Sequence, residues 1–455
     1  MKIHFIAVGG AAMHNLALAL HKNGDEITGS DDEIYNPAKE RLAAAGILPP
    51  EMGWFPEKIN ADIDFIILGM HARKDNPELL RGQELGLKIY SYPEFIYEHS
   101  KNKKRVVIAG SHGKTTTTSM IMHVLKACKT DYDYLVGAML EGFDQMVKLS
   151  DALVMIIEGD EYLSSPIDLV PKIHHYHPHI AVITGIAWDH MNVFPTYENY
   201  VEQFTIFIKT IDENGKLFYY KNDADLKKIA ADSPCETIAY DAFDHLVKNN
   251  KTYLITENKQ EIPLEIFGKH NLENLKSAYY VCREIGISDV QFFETIQTFK
   301  GAAKRLQTLF ETNSSIAYLD FAHAPSKVKA TVQAVKAQFK DRQLVACLEL
   351  HTFSSLNKAF LPQYQGAMDA ADIAVVFFNE HTLAMKKMPP LSIDEVKTFF
   401  NNPNLHVFTD NQVFIQFLKQ YAFQNKNLLL MTSGTFAGLD LKQLAVDLLH
   451  LQQTL

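Results

Sequence analysis

The chain has 455 residues, 47% hydrophobic and 22% charged, and at roughly 150 residues per domain it has room for about three cores. A formal net charge of -10 with an isoelectric point near 6.0 excludes a broad nucleic-acid or anionic-membrane surface, because such binding needs a field of Lys and Arg. Any anionic ligand has to be held locally, by a few basic side chains, helix N-termini or a metal ion.

The opening "MKIHFIAVGGAAMHNLALAL" has the Lys and the apolar run of a secretion signal, but His4, Gly9, Gly10, His14 and Asn15 interrupt it, so it reads as strand, turn and helix. "EITGSDD" follows as a second strand ending in acids, and "DFIILGM" as a third, before a helix over "NPELLRGQELG". This is the start of a dinucleotide-type fold, and strand alternating with helix demands a parallel sheet covered on both faces. "VGGAAM" is not G-x-G-x-x-G, so a nicotinamide dehydrogenase rests on very little. The basic run "KNKKR" is a linker, after which "VVIAG", "ALVMIIEGDE" and "IAVITGIAWDH" build a second sheet. "YLITENKQEIPLEIFGKHN" alternates and reads as antiparallel, and "SSIAYLDFAHAPS" opens a third series continued by "QLVACLELHT", "IAVVFFNE", "LHVFTD" and "NLLLMTSGT". The four cysteines, Cys128, Cys235, Cys282 and Cys347, form no C-x-x-C pair, and no apolar run reaches the ~20 residues that span a bilayer. A reduced, cytoplasmic protein is expected.

The strongest chemical signal is "RVVIAGSHGKTTTT". It has the strand, loop and helix of a phosphate-binding loop, but the usual G-x-x-x-x-G-K-[ST] needs Gly at 108, where this chain has Ile108. The spacing here is G-x-x-G-K-T, from Gly110 through Ser111, His112, Gly113, Lys114, Thr115 and Thr116. Backbone amides at the helix N-terminus can bind phosphate oxygens, Lys114 can neutralise them, and the Thr115 hydroxyl can sit on Mg2+. Carboxylates for that metal stand at neighbouring strand ends, Glu158, Asp160 and Glu161 in "IIEGDEY" and Asp189 with His190 in "AWDHM". Thr115, Glu158 and His190 are the expected metal ligands. The run His174, His175, His177 and His179 alternates along an extended segment, which favours hydrogen bonding or solvated surface over a zinc site.

Taken together these motifs resemble the Mur ligase family, over essentially the whole chain and in the same order. The resemblance implies an α/β fold of three domains: a Rossmann-like UDP-sugar-binding domain over 1–102, a central phosphate-loop ATPase over 103–304, and a Rossmann-like acceptor domain over 305–455. It also implies ATP and Mg2+ as cofactors, with UDP-N-acetylmuramate and a short muropeptide as substrates. "FGKHNLENLKSA" resembles the adenine-contacting segment and gives His270, Asn271 and Asn274; "FKGAAKRLQ" gives Arg305 for the terminal phosphate, and "YLDFAHAPSKV" gives Asp320 and His323. Lys114, Glu158, His190 and Arg305 are then the catalytic set. The UDP-sugar would meet Gly9, Gly10, Ala11, Ala12, Met13, Ser30, Asp31 and His71, with Ala7 and Ala12 standing where the shared pattern has glycines.

The first domain resembles members that act directly on UDP-N-acetylmuramate, adding either L-alanine or a salvaged L-alanyl-γ-D-glutamyl-meso-diaminopimelate tripeptide. "EGDEY", "IHHYHPHIAVITG" and "MTSGTFAGL" resemble the tripeptide ligases of cell-wall recycling, with L-alanine addition as the alternative and a non-catalytic nucleotide-binding regulator a distant third. "LELHTFSSLN" departs from their L-E-P-R-S, with His351 where arginine is expected. The peptide is expected to meet His323, His351, Ser433, Gly434 and Phe436. A base must take a proton from the attacking amine, and Glu161, Asp189 and His323 are the candidates.

Overall fold

The computed structural model describes residues 1–140, 142–188 and 193–450. They fall into two compact units: 1–186 with 196–241 and 277–295, and 187–195 with 242–276 and 296–455. Asp189 and His190 lie outside the described residues.

The first unit contains two sheets. A four-stranded parallel sheet is built from β1 (Lys2–Ile6), β2 (Glu26–Ser30), β3 (Phe65–Leu68) and β4 (Lys88–Ser91), in the order β2-β1-β3-β4. Of its central strands β3 is apolar throughout and β1 is apolar apart from the exposed Lys2 and the buried His4, as a sheet covered on both faces requires. The helix Ala11–Lys22 packs on it through Met13, Leu16, Ala17 and Leu20, at helical spacing, and Asn76 caps the helix Pro77–Glu84 by accepting from the Glu78 and Leu79 amides.

The second sheet has seven strands, β5 (Lys104–Ala109), β6 (Asp133–Leu135), β7 (Val147–Lys148), β8 (Val154–Glu158), β9 (Ile180–Ile183), β10 (Lys216–Tyr220) and β11 (Glu236–Tyr240). Their order is β11-β10-β9-β5-β8-β6-β7, and all pair in parallel except β7. β5 is central, and burial of Val106, Val107 and Ile108 contributes about 1.5–3 kcal/mol each. The carboxyl end of β5 is therefore flanked by those of β8 and β9, where an open α/β sheet gathers its ligands.

The second unit carries an antiparallel ribbon of β12 (His245–Lys248), β13 (Lys251–Ile255) and β14 (Glu261–Leu264), in agreement with the alternation read from the sequence. It also carries a six-stranded sheet of β15 (Gln307–Glu311), β16 (Ile316–Asp320), β17 (Gln343–Glu349), β18 (Ile373–Phe377), β19 (Leu405–Phe408) and β20 (Lys426–Met431). The order is β15-β16-β20-β17-β18-β19. The edge strand β15 is antiparallel to β16 and was not foreseen: its residues are exposed or half-buried, and it lacks the apolar run that marks the other strands. Helix Lys269–Ile285 contributes its start to this unit and its remainder to the first.

Candidate active site

The phosphate loop leaves β5 at Ala109 and enters the helix Lys114–Ala127 at Gly113, which has φ 85° and supplies no side-chain cap. The first-turn amides are thus not taken by a capping side chain, as anion binding requires. Gly110 has φ 117°, and a Cβ there would lie 2.5 Å from Thr184 Oγ1 and 2.8 Å from Gly185 O. Only glycine fits, because the loop is pressed against the end of β9: the Ser111 amide donates to Gly185 O at 2.9 Å, and the Thr184 hydroxyl donates to the His112 carbonyl.

Lys114 Nζ donates to Gly110 O at 2.6 Å and to Glu161 Oε2 at 2.9 Å. Burial works against its charge, yet Glu161, with Asp160 and Glu158, holds its pKa above the ordinary lysine value. Glu161 is fully buried, and its other oxygen accepts from Tyr200 OH at 3.0 Å; that phenol oxygen lies 3.1 Å from Ser111 Oγ. Thr115 Oγ1 donates to Glu158 Oε1 at 2.7 Å, and Glu158 Oε2 accepts from the Gly137 amide at 3.1 Å. A threonine hydroxyl and a carboxylate side by side at a phosphate loop form an oxygen donor set that fits Mg2+. Thr116 is buried behind the loop. Tyr200 and Thr184 belong to no motif and were missed.

In the four-stranded sheet the turn after β1 brings Gly9, Gly10, Asp31 and His71 together. The Gly9 amide donates to Asp31 Oδ2 at 2.7 Å, and a Cβ on Gly10 would stand 3.6 Å from His71 Cδ2. Burial, with Asp32 alongside, pushes the Asp31 carboxyl up to about 6. Ala7 has φ 66°, a left-handed conformation that explains why the related pattern carries glycine there. Ala11 is exposed and Ala12 half-buried at the helix start. The side chains of Met13 and Ser30 are buried; Ser30 shapes the turn through its carbonyl, which accepts the Ala7 and Val8 amides at 2.9 and 3.2 Å.

In the second unit Arg305 sits in a strained turn. Lys304 and Leu306 on either side have φ 55° and 46°, and Asp320 anchors the turn by accepting the Leu306 and Ala322 amides, each at 2.7 Å. Burial raises the Asp320 carboxyl pKa, against the pull of Arg305 and the two amides. The guanidinium lies 4.9 Å from the Phe321 ring centre. His270 is half-buried, and burial, reinforced by the Arg305 charge, pushes its imidazole down to about 4. Asn271 and Asn274 are both buried, Asn271 donating to Phe267 O at 2.8 Å. Nδ1 of His323 donates to Phe321 O at 2.9 Å, and the Tyr364 hydroxyl donates to the His323 carbonyl.

At the carboxyl ends of β17 and β20, buried Glu349 organises the expected acceptor segment, a role not read from the sequence. Its Oε2 accepts the Thr432 hydroxyl and, at 3.0 Å, the Phe436 amide; its Oε1 is 3.8 Å from His351 Nδ1. A Cβ on Gly434 would meet His351 Nδ1 at 2.7 Å and Glu349 Oε2 at 2.8 Å, so Gly434 lets the two segments meet. Ser433 Oγ is buried without a hydrogen-bond partner among the described residues. Phe436, expected to meet the peptide, has φ 49° and its ring is 0% exposed, stacked on Phe414 at 5.3 Å and beside Phe377. It anchors the loop and presents no surface to a peptide.

The four histidines do not converge. His174 donates to Gln203 O, His177 packs on Tyr97, His179 accepts the Arg105 amide, and His175 faces Asp168.

The sequence matches the Mur ligase family catalytic domain over residues 2–104 and the Mur ligase middle domain over 108–282. The UDP-N-acetylmuramate--L-alanine ligase of Sulfurihydrogenibium is 30% identical over 383 residues, 82% of each chain, and that of Rubrobacter xylanophilus is 27% identical over 95% of this chain and 97% of its own. Among solved structures, UDP-N-acetylmuramate-alanine ligase from Thermotoga maritima superposes with a TM-score of 0.68 over 100% of both chains at 19% identity. A murein peptide ligase from Psychrobacter arcticus gives 0.63 over 98% of both at 23% identity. With glycine, lysine, threonine and two carboxylates of its phosphate loop in place, the chain belongs to the Mur ligase family of ATP-dependent amide-bond-forming ligases.

Proposed function

We propose that the chain joins an amine to the carboxyl group of UDP-N-acetylmuramate, and that the amine is L-alanine. The observation that carries the reaction is the phosphate loop, where Lys114 and Thr115 each meet a carboxylate from the end of the neighbouring strand. A carboxylate is a poor acyl donor, so ATP first converts it to an acyl phosphate; the amine then attacks, a tetrahedral oxyanion forms and phosphate leaves. Lys114 leaves Gly110 O and Glu161 to meet the phosphoryl oxygens, while the loop amides hold them in line. Thr115 and Glu158 would hold Mg2+, which supplies charge neutralisation to the phosphates. The family pattern gives Arg305 the terminal phosphate, His270, Asn271 and Asn274 the base, and His190 a further metal contact. Glu161 is a poor choice of general base, because both its oxygens are engaged. The reaction belongs in the cytoplasm, where ATP is supplied, and no helix among the described residues is long and apolar enough to cross a membrane.

L-Alanine is supported by the names of the curated relatives that align along most of the chain. The tripeptide is the second reading, favoured by "EGDEY" in place of the alanine ligases' E-A-D-E-S. It is weakened by Phe436, whose ring is in the core. Phosphate release with UDP-N-acetylmuramate and each amine in turn decides between them. Release with L-alanine and not with tripeptide supports the first reading, release with tripeptide alone the second, and release with neither, on protein that still binds ATP, rejects both.

A further inference from the structure

We propose that Glu94, Asp168 and His175 form a binding site for a divalent transition-metal cation, separate from the phosphate loop. Glu94 lies in the first turn of the helix Tyr92–Ser100, directly after β4; Asp168 lies in the loop after β8; His175 ends the short 3-10 turn Lys172–His175 before β9. One ligand atom from each falls within 4.8 Å of the others. Zinc bonds of about 2.0–2.2 Å place tetrahedral neighbours about 3.4 Å apart, so small side-chain rotations close the site.

Three observations point to a cation. His175 Nε2 is buried 2.8 Å from Asp168 Oδ2 and makes no well-aligned hydrogen bond among the described residues. Among the described residues neither Glu94 nor Asp168 pairs with a lysine or arginine; the nearby Lys172 is taken by Asp160 at 2.6 Å. The two carboxylates are nonetheless aimed together by one buried residue. The Ser91 amide donates to Glu94 Oε2 at 2.6 Å and its hydroxyl to Asp168 Oδ2 at 3.4 Å, while the Val170 amide donates to Asp168 Oδ1 at 3.3 Å. Metal-binding carboxylates are held in this way by outer hydrogen bonds. One imidazole with two carboxylates selects a borderline ion of the zinc, manganese or cobalt type, whereas magnesium prefers oxygen alone. Two negative charges would be balanced by the ion, and the turn after β4 would be tied to the loops after β8, joining the two sheets of the first unit.

The test uses the full chain stripped by chelator, without nucleotide or magnesium, titrated with Zn2+ against a chromophoric chelator. The expected result is a tight equivalent that weakens about tenfold or more in both His175→Ala and Asp168→Asn, and is unchanged in Glu158→Gln. Cobalt in place of zinc gives an absorption band that the same two variants lose. Asp168→Asn is isosteric, so it keeps the test decisive if His175→Ala folds poorly. No tight equivalent, or one that both variants leave intact, overturns the proposal.

Discussion

Lys114 and Glu161 form a buried pair whose energetics separate the loop's structural and catalytic roles. In Lys114→Met the Glu161 carboxylate, fully buried, loses its ammonium partner and keeps the Tyr200 hydroxyl. Removing one partner of a buried pair costs about 3–5 kcal/mol, and since the lysine side chain retains 15% exposure the lower end, about 3 kcal/mol, is expected. Glu161→Gln keeps an acceptor for Tyr200 and leaves Lys114 on Gly110 O, losing about 1.5–3 kcal/mol for a charge-assisted bond. The double variant has no unpaired buried charge, so it should be about as stable as Glu161→Gln alone, a coupling of about 3 kcal/mol. Urea unfolding followed by circular dichroism measures this at pH 7.5. The sign with pH is fixed: a lysine whose folded pKa is raised contributes fully below its unfolded value of about 10.4 and loses that contribution only as pH rises through the folded value. The Lys114→Met penalty is therefore flat across neutral pH. Phosphate release should be absent in both variants lacking Lys114, so stability returns in the double variant without activity. A Lys114→Met protein as stable as the parent, or a double variant whose losses simply add, would refute the pairing.

Four further outcomes are expected. Gly434→Ala pushes a Cβ into His351 and Glu349, costing about 1–3 kcal/mol and lowering kcat/KM for the amine on the order of 10²-fold, with ATP binding by calorimetry unchanged. Phe436→Ala should cost about 3–5 kcal/mol in urea unfolding while leaving the preference between amines as it was; a switch in preference without lost stability would return Phe436 to the substrate. His270 has a depressed folded pKa, so stability falls as pH drops from 6.5 toward about 4, by up to about 3 kcal/mol, and His270→Gln should flatten that slope. Asp31 is the reverse: its folded pKa of about 6 means stability is lost as pH rises from 3.8 through 6. Asp31→Asn should therefore stabilise by up to about 3 kcal/mol at pH 8 and little at pH 4, read from paired unfolding curves.

What could be read from sequence was whatever lies close together along it. The loop from Gly110 to Thr115 carries its own shape, because two glycines at positive φ and a Lys-Thr pair sit within six residues, and Glu158 declares itself by ending an apolar strand. Tyr200 meets Ser111 across 89 residues, and Glu349 meets Phe436 across 87; a tyrosine on an amphipathic helix, or an acid that ends a strand as Glu349 does with no phosphate loop beside it in the sequence, carries no local pattern that names a partner. Phe436 shows the limit of a local signal from the opposite side. A phenylalanine in a small-residue loop suggests a ligand contact, but which way the ring points depends on a backbone angle, and here φ of 49° sends it under the sheet. Asp320 shows an intermediate case, since its strand-end position was legible while its use, holding the strained turn around Arg305, needs the fold.

The displaced glycine of the phosphate loop has a structural cause. Ile108, at the position where a longer loop would have glycine, is inside β5, paired with Glu158 on one side and Val182 on the other. The strand thus runs further before the chain turns, and the turn is completed in fewer residues. A shorter loop has less freedom to shape itself, so its form comes from outside. Gly185 O takes the Ser111 amide, the Thr184 hydroxyl takes hold of the His112 carbonyl, and Gly110 must have no Cβ for both to approach. Lys114 and Thr115 then emerge beside Glu161 and Glu158 because β5 and β8 are adjacent and in register. The spacing G-x-x-G-K-T is accordingly not a weakened phosphate loop but one whose geometry is held by β9, with substitutions at Thr184 acting on the phosphate site through the loop backbone.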